Sequence, residues 1–118
     1  MSIWTHVVGN IRVDALSFGA LPKKAELNKI FHSRAFKLPC GSEGGLDFKV
    51  VIYNKEGNVP WATVPVWGDL RDYSDTEYIK KWWSSVINVI NADGCFSVRD
   101  AVLLVEVEGY RPFTLYSR

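Results

Sequence analysis

The chain has almost no net charge: 14 lysines and arginines against 13 aspartates and glutamates leave +1 at pH 7. A protein that coats nucleic acid needs a basic footprint, so this balance speaks against a generic DNA binder and equally against an acidic DNA mimic. Cysteine is scarce. Cys40 and Cys95 are the two present, too far apart for a zinc or redox pair, and two free cytosolic thiols are expected. No apolar run approaches the roughly 20 residues that span a bilayer. The N-terminal Met1-Ser-Ile-Trp-Thr-His6 lacks the charged-then-apolar order of a signal peptide, so a cytoplasmic location is expected. Histidines number two, His6 and His32, and neither has a carboxylate at a telling spacing. Ser42 lacks the elbow spacing of hydrolases, and nothing near Cys40 would activate a thiol. The glycine-rich Cys40–Gly45 has no Gly-Lys-Ser/Thr ending, which excludes a Walker loop. These absences lean away from an enzyme, and no metal or cofactor is expected.

What the sequence does have is aromatic residues: five tryptophans, five tyrosines and six phenylalanines in 118 residues. Large rings bury large areas, so part of this set belongs to a core and the rest is available to a binding surface.

The clearest element lies between Ser74 and Ala92. Ile79, Trp82, Trp83, Val86, Ile87 and Ile90 recur at helical spacing, with Lys80, Lys81, Ser84, Ser85 and Asn88 on the other side. Ser74 with Glu77 reads as a capping box. Gly94 suits a left-handed C-terminal cap, and Trp82 and Trp83, about 100° apart, predict one core ring and one flanking ring. A weaker helix is expected from Lys23 to about Arg34, with Pro22 at its start. Alternation predicts strands over residues 3–14, 48–53, 61–67 and 101–108. A hairpin turn at Asn54–Asn58 joins the second strand to the third. Pro65 is awkward within the third strand, because it donates nothing to a ladder.

The order strand, helix, strand, strand, helix, strand in one domain over residues 1–118 predicts an α+β fold of ferredoxin-like βαββαβ type. It would have a four-stranded antiparallel sheet with two helices on one face, followed by an aromatic tail over 110–118. That topology brings two candidate surfaces together. At one end, Gly41, Ser42, Glu43, Gly44 and Gly45 meet the corner carrying Asp69, Arg71, Asp72 and Tyr73. Backbone amides there could cradle an anion while Arg71 grips it; alternatively the aspartates cap the helix and pair with Arg71. On the sheet face away from the helices, Trp4, His6, Arg12, Tyr53 and Trp67 form an aromatic surface. Such a surface suits self-association or a protein partner better than nucleic acid, whose basic footprint is missing. A homodimer or larger assembly is expected, with the tail reaching across a two-fold neighbour as one way to build it.

Trp4-Thr-His6, Gly9-Asn-Ile-Arg12, Pro39-Cys-Gly-Ser-Glu-Gly44, Gly68-Asp-Leu-Arg-Asp-Tyr73 and Val105-Glu-Val-Glu-Gly109 resemble segments of small proteins encoded by phages and prophages of Gram-positive bacteria. No activity or site is assigned to that group. The resemblance covers most of the chain and implies a small cytoplasmic accessory factor, which binds and neutralises a host protein or nucleotide signal. The sequence thus favours a non-enzymatic binding module, acting in counter-defence on a host protein or a small anionic, nucleotide-like ligand. The alternatives are a nucleic-acid-binding accessory protein using the aromatic face, and a small nucleotide- or phosphoryl-processing enzyme.

Overall fold

Three long strands carry the fold: β1 (Trp4–Ala15), β4 (Trp61–Arg71) and β5 (Phe96–Val107). The computed structural model describes residues 2–15, 24–31, 37–52 and 61–117. The remaining elements are α1 (Lys24–Phe31), β2 (Asp47–Phe48), β3 (Val51–Ile52), α2 (Thr76–Ala92) and β6 (Phe113–Tyr116). The sheet runs β2-β4-β1-β5-β6, with β3 also on β4, and every pairing is antiparallel.

Alternation places Thr5, Val7, Ile11 and Val13 of β1, Ala62, Val64, Val66 and Leu70 of β4, and Ala101, Leu103, Val105 and Val107 of β5 on one face, all buried. Helix α2 lays its whole predicted stripe, Ile79 to Ile90, on that face, and Leu27, Ile30 and Phe31 of α1 complete the same core. Burial of this stripe is what holds a helix of such mixed propensity in place. Gly9 lets β1 and β5 approach, since a Cβ there would sit 2.8 Å from Leu103 Cα.

The α+β class stands, but the four-stranded ferredoxin-like βαββαβ arrangement does not: the sheet has six strands. Two local causes account for the difference. The second predicted strand is broken into β2 and β3, and the break falls opposite Pro65. Lys49 N donates to Pro65 O at 3.2 Å; the reciprocal bond would need the amide that proline lacks. The second cause is the tail. Gly109 (φ +86°) turns the chain, Tyr110 N closes on Val107 O at 2.9 Å, and Phe113–Tyr116 pairs with Val102–Val105 as β6. The tail is therefore a strand of its own sheet, not an arm free to cross to a neighbour.

Two details of α2 also depart from expectation. Its N-cap is Asp75, whose carboxylate accepts from Tyr78 N at 3.1 Å, while Ser74 lies one residue too early. Both Trp82 and Trp83 are buried. Trp83 lies over β6, its Nε1 donating to Tyr116 O at 3.1 Å. The two rings lie beside each other, their centroids 6.1 Å apart. The expected left-handed turn is present at Gly94 (φ +85°). Pro22, His32, Tyr53 and the 54–58 hairpin lie outside the described residues.

Candidate functional site

The glycine loop folds back on itself and docks against the end of β4. Cys40 and Gly45 bridge, Gly41 N donates to Gly44 O at 2.9 Å, and Gly44 takes φ +72°. Ser42 N donates to Arg71 O at 2.9 Å and Arg71 N to Glu43 O at 3.0 Å, so the tip of the loop adds a rung to the sheet. The contact is backbone to backbone: a Cβ on Gly41 would lie 2.7 Å from Arg71 N. That closeness explains the glycines without invoking a ligand. The amides of Gly41, Ser42 and Leu46 are spent on carbonyls of Gly44, Arg71 and Pro39, and none of the three is left to cradle an anion.

Arg71 is spent as well. Its Nη1 sits 2.6 Å from Glu43 Oε1, its Nε donates to Ser2 Oγ at 2.9 Å, and Asp72 Oδ2 is 3.8 Å away. Asp72, in the left-handed region at φ 51°, exchanges two bonds with Ile3, through its own N to Ile3 O at 2.7 Å and from Ile3 N to its Oδ1 at 3.2 Å. Aspartate tolerates that conformation better than most residues. The corner is thus a clasp that holds the N-terminal segment and the glycine loop to β4. Gly41 to Gly45, Arg71 and Asp72 are brought together as expected. Tyr73 parts from them: it turns to the helix side, half-buried beside Cys40, Asp75 and Tyr78 in a cavity of about 290 Å³. Burial pushes its phenol up to about 12, helped by Asp75, and it stays protonated at neutral pH.

Asp69 turns to the open sheet face, where it meets His6. His6 Nδ1 is 2.6 Å from Asp69 Oδ1, and Nε2 is 3.7 Å from Glu108 Oε2. The hydrogen bond to Asp69 raises the imidazole pKa; burial opposes it, and the charges of Asp69 and Glu108 reinforce it. With a carboxylate at each nitrogen, the ring ties β1 to β4 and to the residue that follows β5. Glu108 also accepts from Trp4 N at 2.8 Å and donates its own N to Trp4 O.

Trp4, His6, Arg12 and Trp67 all lie on the face the helices leave bare, in register with β4 and β5. Across the middle of that face, Trp67, Val8 and Leu104 form one row, and Pro65, Asn10 and Val102 the next. Trp67, Val8, Leu104, Val102 and Tyr116 are exposed. Beyond this band the charge is uneven. One end carries Asp47, Asp69, Glu106 and Glu108 around His6 and the neutralised Arg71. The other carries Arg12, set directly across the ladder from Asp100, and Arg99, 3.9 Å from Asp14, with Lys49 beside Pro65 at the edge of the band.

Val8, Val102, Leu104, Glu108 and Ser2 are the site residues that reading the sequence missed. The first three carried a usable signal, being apolar residues at outward positions of otherwise alternating strands. Glu108 and Ser2 carried none, because their partners are about a hundred and about seventy positions away along the chain, where spacing has no meaning. Among the described residues no group of acidic, histidine or cysteine side chains is arranged to hold a metal ion, and no helix is long and apolar enough to cross a membrane. Comparison with family models, curated proteins and solved structures finds no match.

Proposed function

We propose that the chain is a non-enzymatic binding module that works as a homodimer joined through its open sheet faces. The observation that carries this reading is the exposed band Trp67–Val8–Leu104–Val102, set between an acidic and a mildly basic end. Bare apolar area of this kind on a sheet needs a cover. Stacking two copies with their strands antiparallel turns the end of each that carries Arg12 toward the Asp69 and Glu106 end of the other. The parallel stack would set acid on acid. Charge therefore selects one two-fold arrangement, with the same patch used on both subunits. Nucleic acid is a poorer occupant, because its phosphates would meet four carboxylates at one end. The resemblance to small phage-encoded proteins supports the role of a counter-defence factor in the host cytoplasm, with the dimer presenting paired sites to a host component.

Sedimentation over a micromolar concentration range tests the assembly. The expected species is twice 13.4 kDa, and Val8→Asp should shift it to monomer without unfolding it. Arg12→Glu should weaken the dimer, and adding Glu106→Arg should restore it. A species at the monomer mass throughout would remove the reading. Binding to single-stranded DNA that falls steeply with salt would replace it with the nucleic-acid alternative.

A further inference from the structure

We infer that the cleft between the free edge of β6 and helix α2 captures an extended, acidic peptide segment by adding it as a further strand. The inference rests on the binding-module reading and names the occupant of its second surface. β6 ends the sheet on the side away from β4, so among the described residues one edge of it has no strand beside it. Trp83 Nε1 reaches Tyr116 O from α2, which fixes that carbonyl as pointing away from β5. In an antiparallel pair a residue's N–H and C=O point the same way and alternate along the strand. The amide and carbonyl of Thr114 therefore also point outward, into the space beside α2. They are a donor and an acceptor spaced for a partner strand.

The walls suit side chains of such a strand. Trp83, Ile87 and Leu115 line a cavity of about 400 Å³ beside β6. A second cavity of about 580 Å³ opens toward the β5–β6 turn, lined by Phe113, Tyr110 and Arg111. Lys80 lines both, so it stands between the two along one side of β6. Lys80 stands 5.3 Å from the Phe113 ring centre and 3.1 Å from Glu77 Oε1. Arg111 is exposed, with no carboxylate in ion-pair range among the described residues. The cleft thus offers an apolar pocket at one end and a cationic one at the other, beside free backbone groups. A strand side chain points toward α2 at every second residue. The matching segment has an apolar residue and, two positions along, an aspartate or glutamate. An isolated anion would use the cationic pocket and leave the edge and the apolar pocket empty.

Fluorescence anisotropy with labelled hexapeptides tests this. Valine and threonine alternate in each, and one position facing the cationic pocket carries glutamate, glutamine or lysine. The expected order is glutamate, then glutamine, then lysine, with about two- to five-fold between steps for rim charges of this exposure. Arg111→Glu, a change at an exposed turn, should reverse the order. Thr114→Pro removes an outward amide while sparing the β5 ladder and should abolish binding. No binding by any peptide at millimolar protein, or an order unchanged by Arg111→Glu, would overturn the inference. So would binding of adenosine monophosphate or inorganic phosphate with no peptide bound. Val8→Asp separates this surface from the dimer. Peptide binding by the Val8→Asp monomer leaves both readings standing; a wild type that stays monomeric yet binds peptide sinks only the dimer, and an intact dimer that binds no peptide sinks only the cleft.

Discussion

The two faces of the central sheet share the same strands, register and alternation, yet they have opposite fates. Val7 is 3% exposed and its neighbour Val8 is 55% exposed. Intrinsic strand preference cannot separate two adjacent valines. What separates them is α2, whose apolar stripe covers one face, while none of the described residues covers the other. Among the described residues the covered face is apolar apart from Thr5, whose hydroxyl donates to Tyr73 O. The open face keeps its apolar residues to a central band and ends in charge. A face designed only for water would not need Val8, Leu104 and Val102 together; one designed for a core would not end in Glu106 and Arg12.

The sharpest break of this comparison is to remove one ring from each face. Trp83→Ala should cost about 3–5 kcal/mol, because it leaves a cavity under β6 and strips Tyr116 O of its partner. Trp67→Ala, made in the monomeric Val8→Asp background, should cost about 0.5 kcal/mol or less. Equal losses in urea unfolding would mean that the open face is covered within one chain.

Next in size is the spacing of the covered face. A side chain at Gly9 meets Leu103 at Cα and Cδ1, so Gly9→Ala should cost about 1–3 kcal/mol by forcing β1 from β5. Thermal unfolding that leaves this variant at the wild-type midpoint would show that the sheet can open there freely.

The third prediction concerns the helix that makes the two faces different. Asp75→Ala should lose about 1 kcal/mol with the cap bond to Tyr78 N. Ser74→Ala should lose almost nothing, since Ser74 contributes its backbone carbonyl to Thr76 N and no side-chain bond to the helix. Reversal of that order would restore the capping box.

How much of this could be read in the sequence follows the same division. Alternation marked the inward residues of β1 from Thr5 to Val13, of β4 from Ala62 to Val66 and of β5 from Ala101 to Val107, while Leu70 and Phe96 lie beyond the predicted strand ends and Ile3, expected inward, is exposed; the 3.6-residue period marked all six buried positions of α2, because both patterns are local and driven by burial. Pro65 was visible as an anomaly, but its effect falls on the neighbouring strand, which breaks at Lys49 and Val50; a residue's cost to its partner is not written in its own segment. The β6 hairpin was hidden by Pro112, although Gly109 and the Phe113-Thr-Leu-Tyr116 alternation mark a turn and a strand. At the candidate site, the meeting of the glycine loop with Arg71 followed from topology. Its use as a clasp did not, because Glu43 and Ser2 reach Arg71 from 28 and 69 positions away.

The smallest effect tests whether the charged rim of the open face holds the sheet together or only decorates it. His6 is 43% exposed on its side chain, lying between Asp69 and Glu108, and the hydrogen bond to Asp69 raises its pKa in the folded protein above 6.5. A raised pKa means that folding favours the protonated form. The stabilisation is present in full below about pH 6.5 and is lost as pH climbs through the folded-state value. At this exposure, solvent screens the pair, and the contribution should be roughly a few tenths of a kcal/mol. Glutamine at this position keeps a hydrogen bond to Asp69 but cannot carry charge. The wild type should therefore be slightly more stable than His6→Gln at about pH 5.5, and the two should converge by about pH 9. The charged groups that face the ring are Asp69 and Glu108, with Glu106 beside them. A gap that persists at alkaline pH would assign the effect to packing. A gap that widens there would mean the neutral ring is the form the sheet prefers.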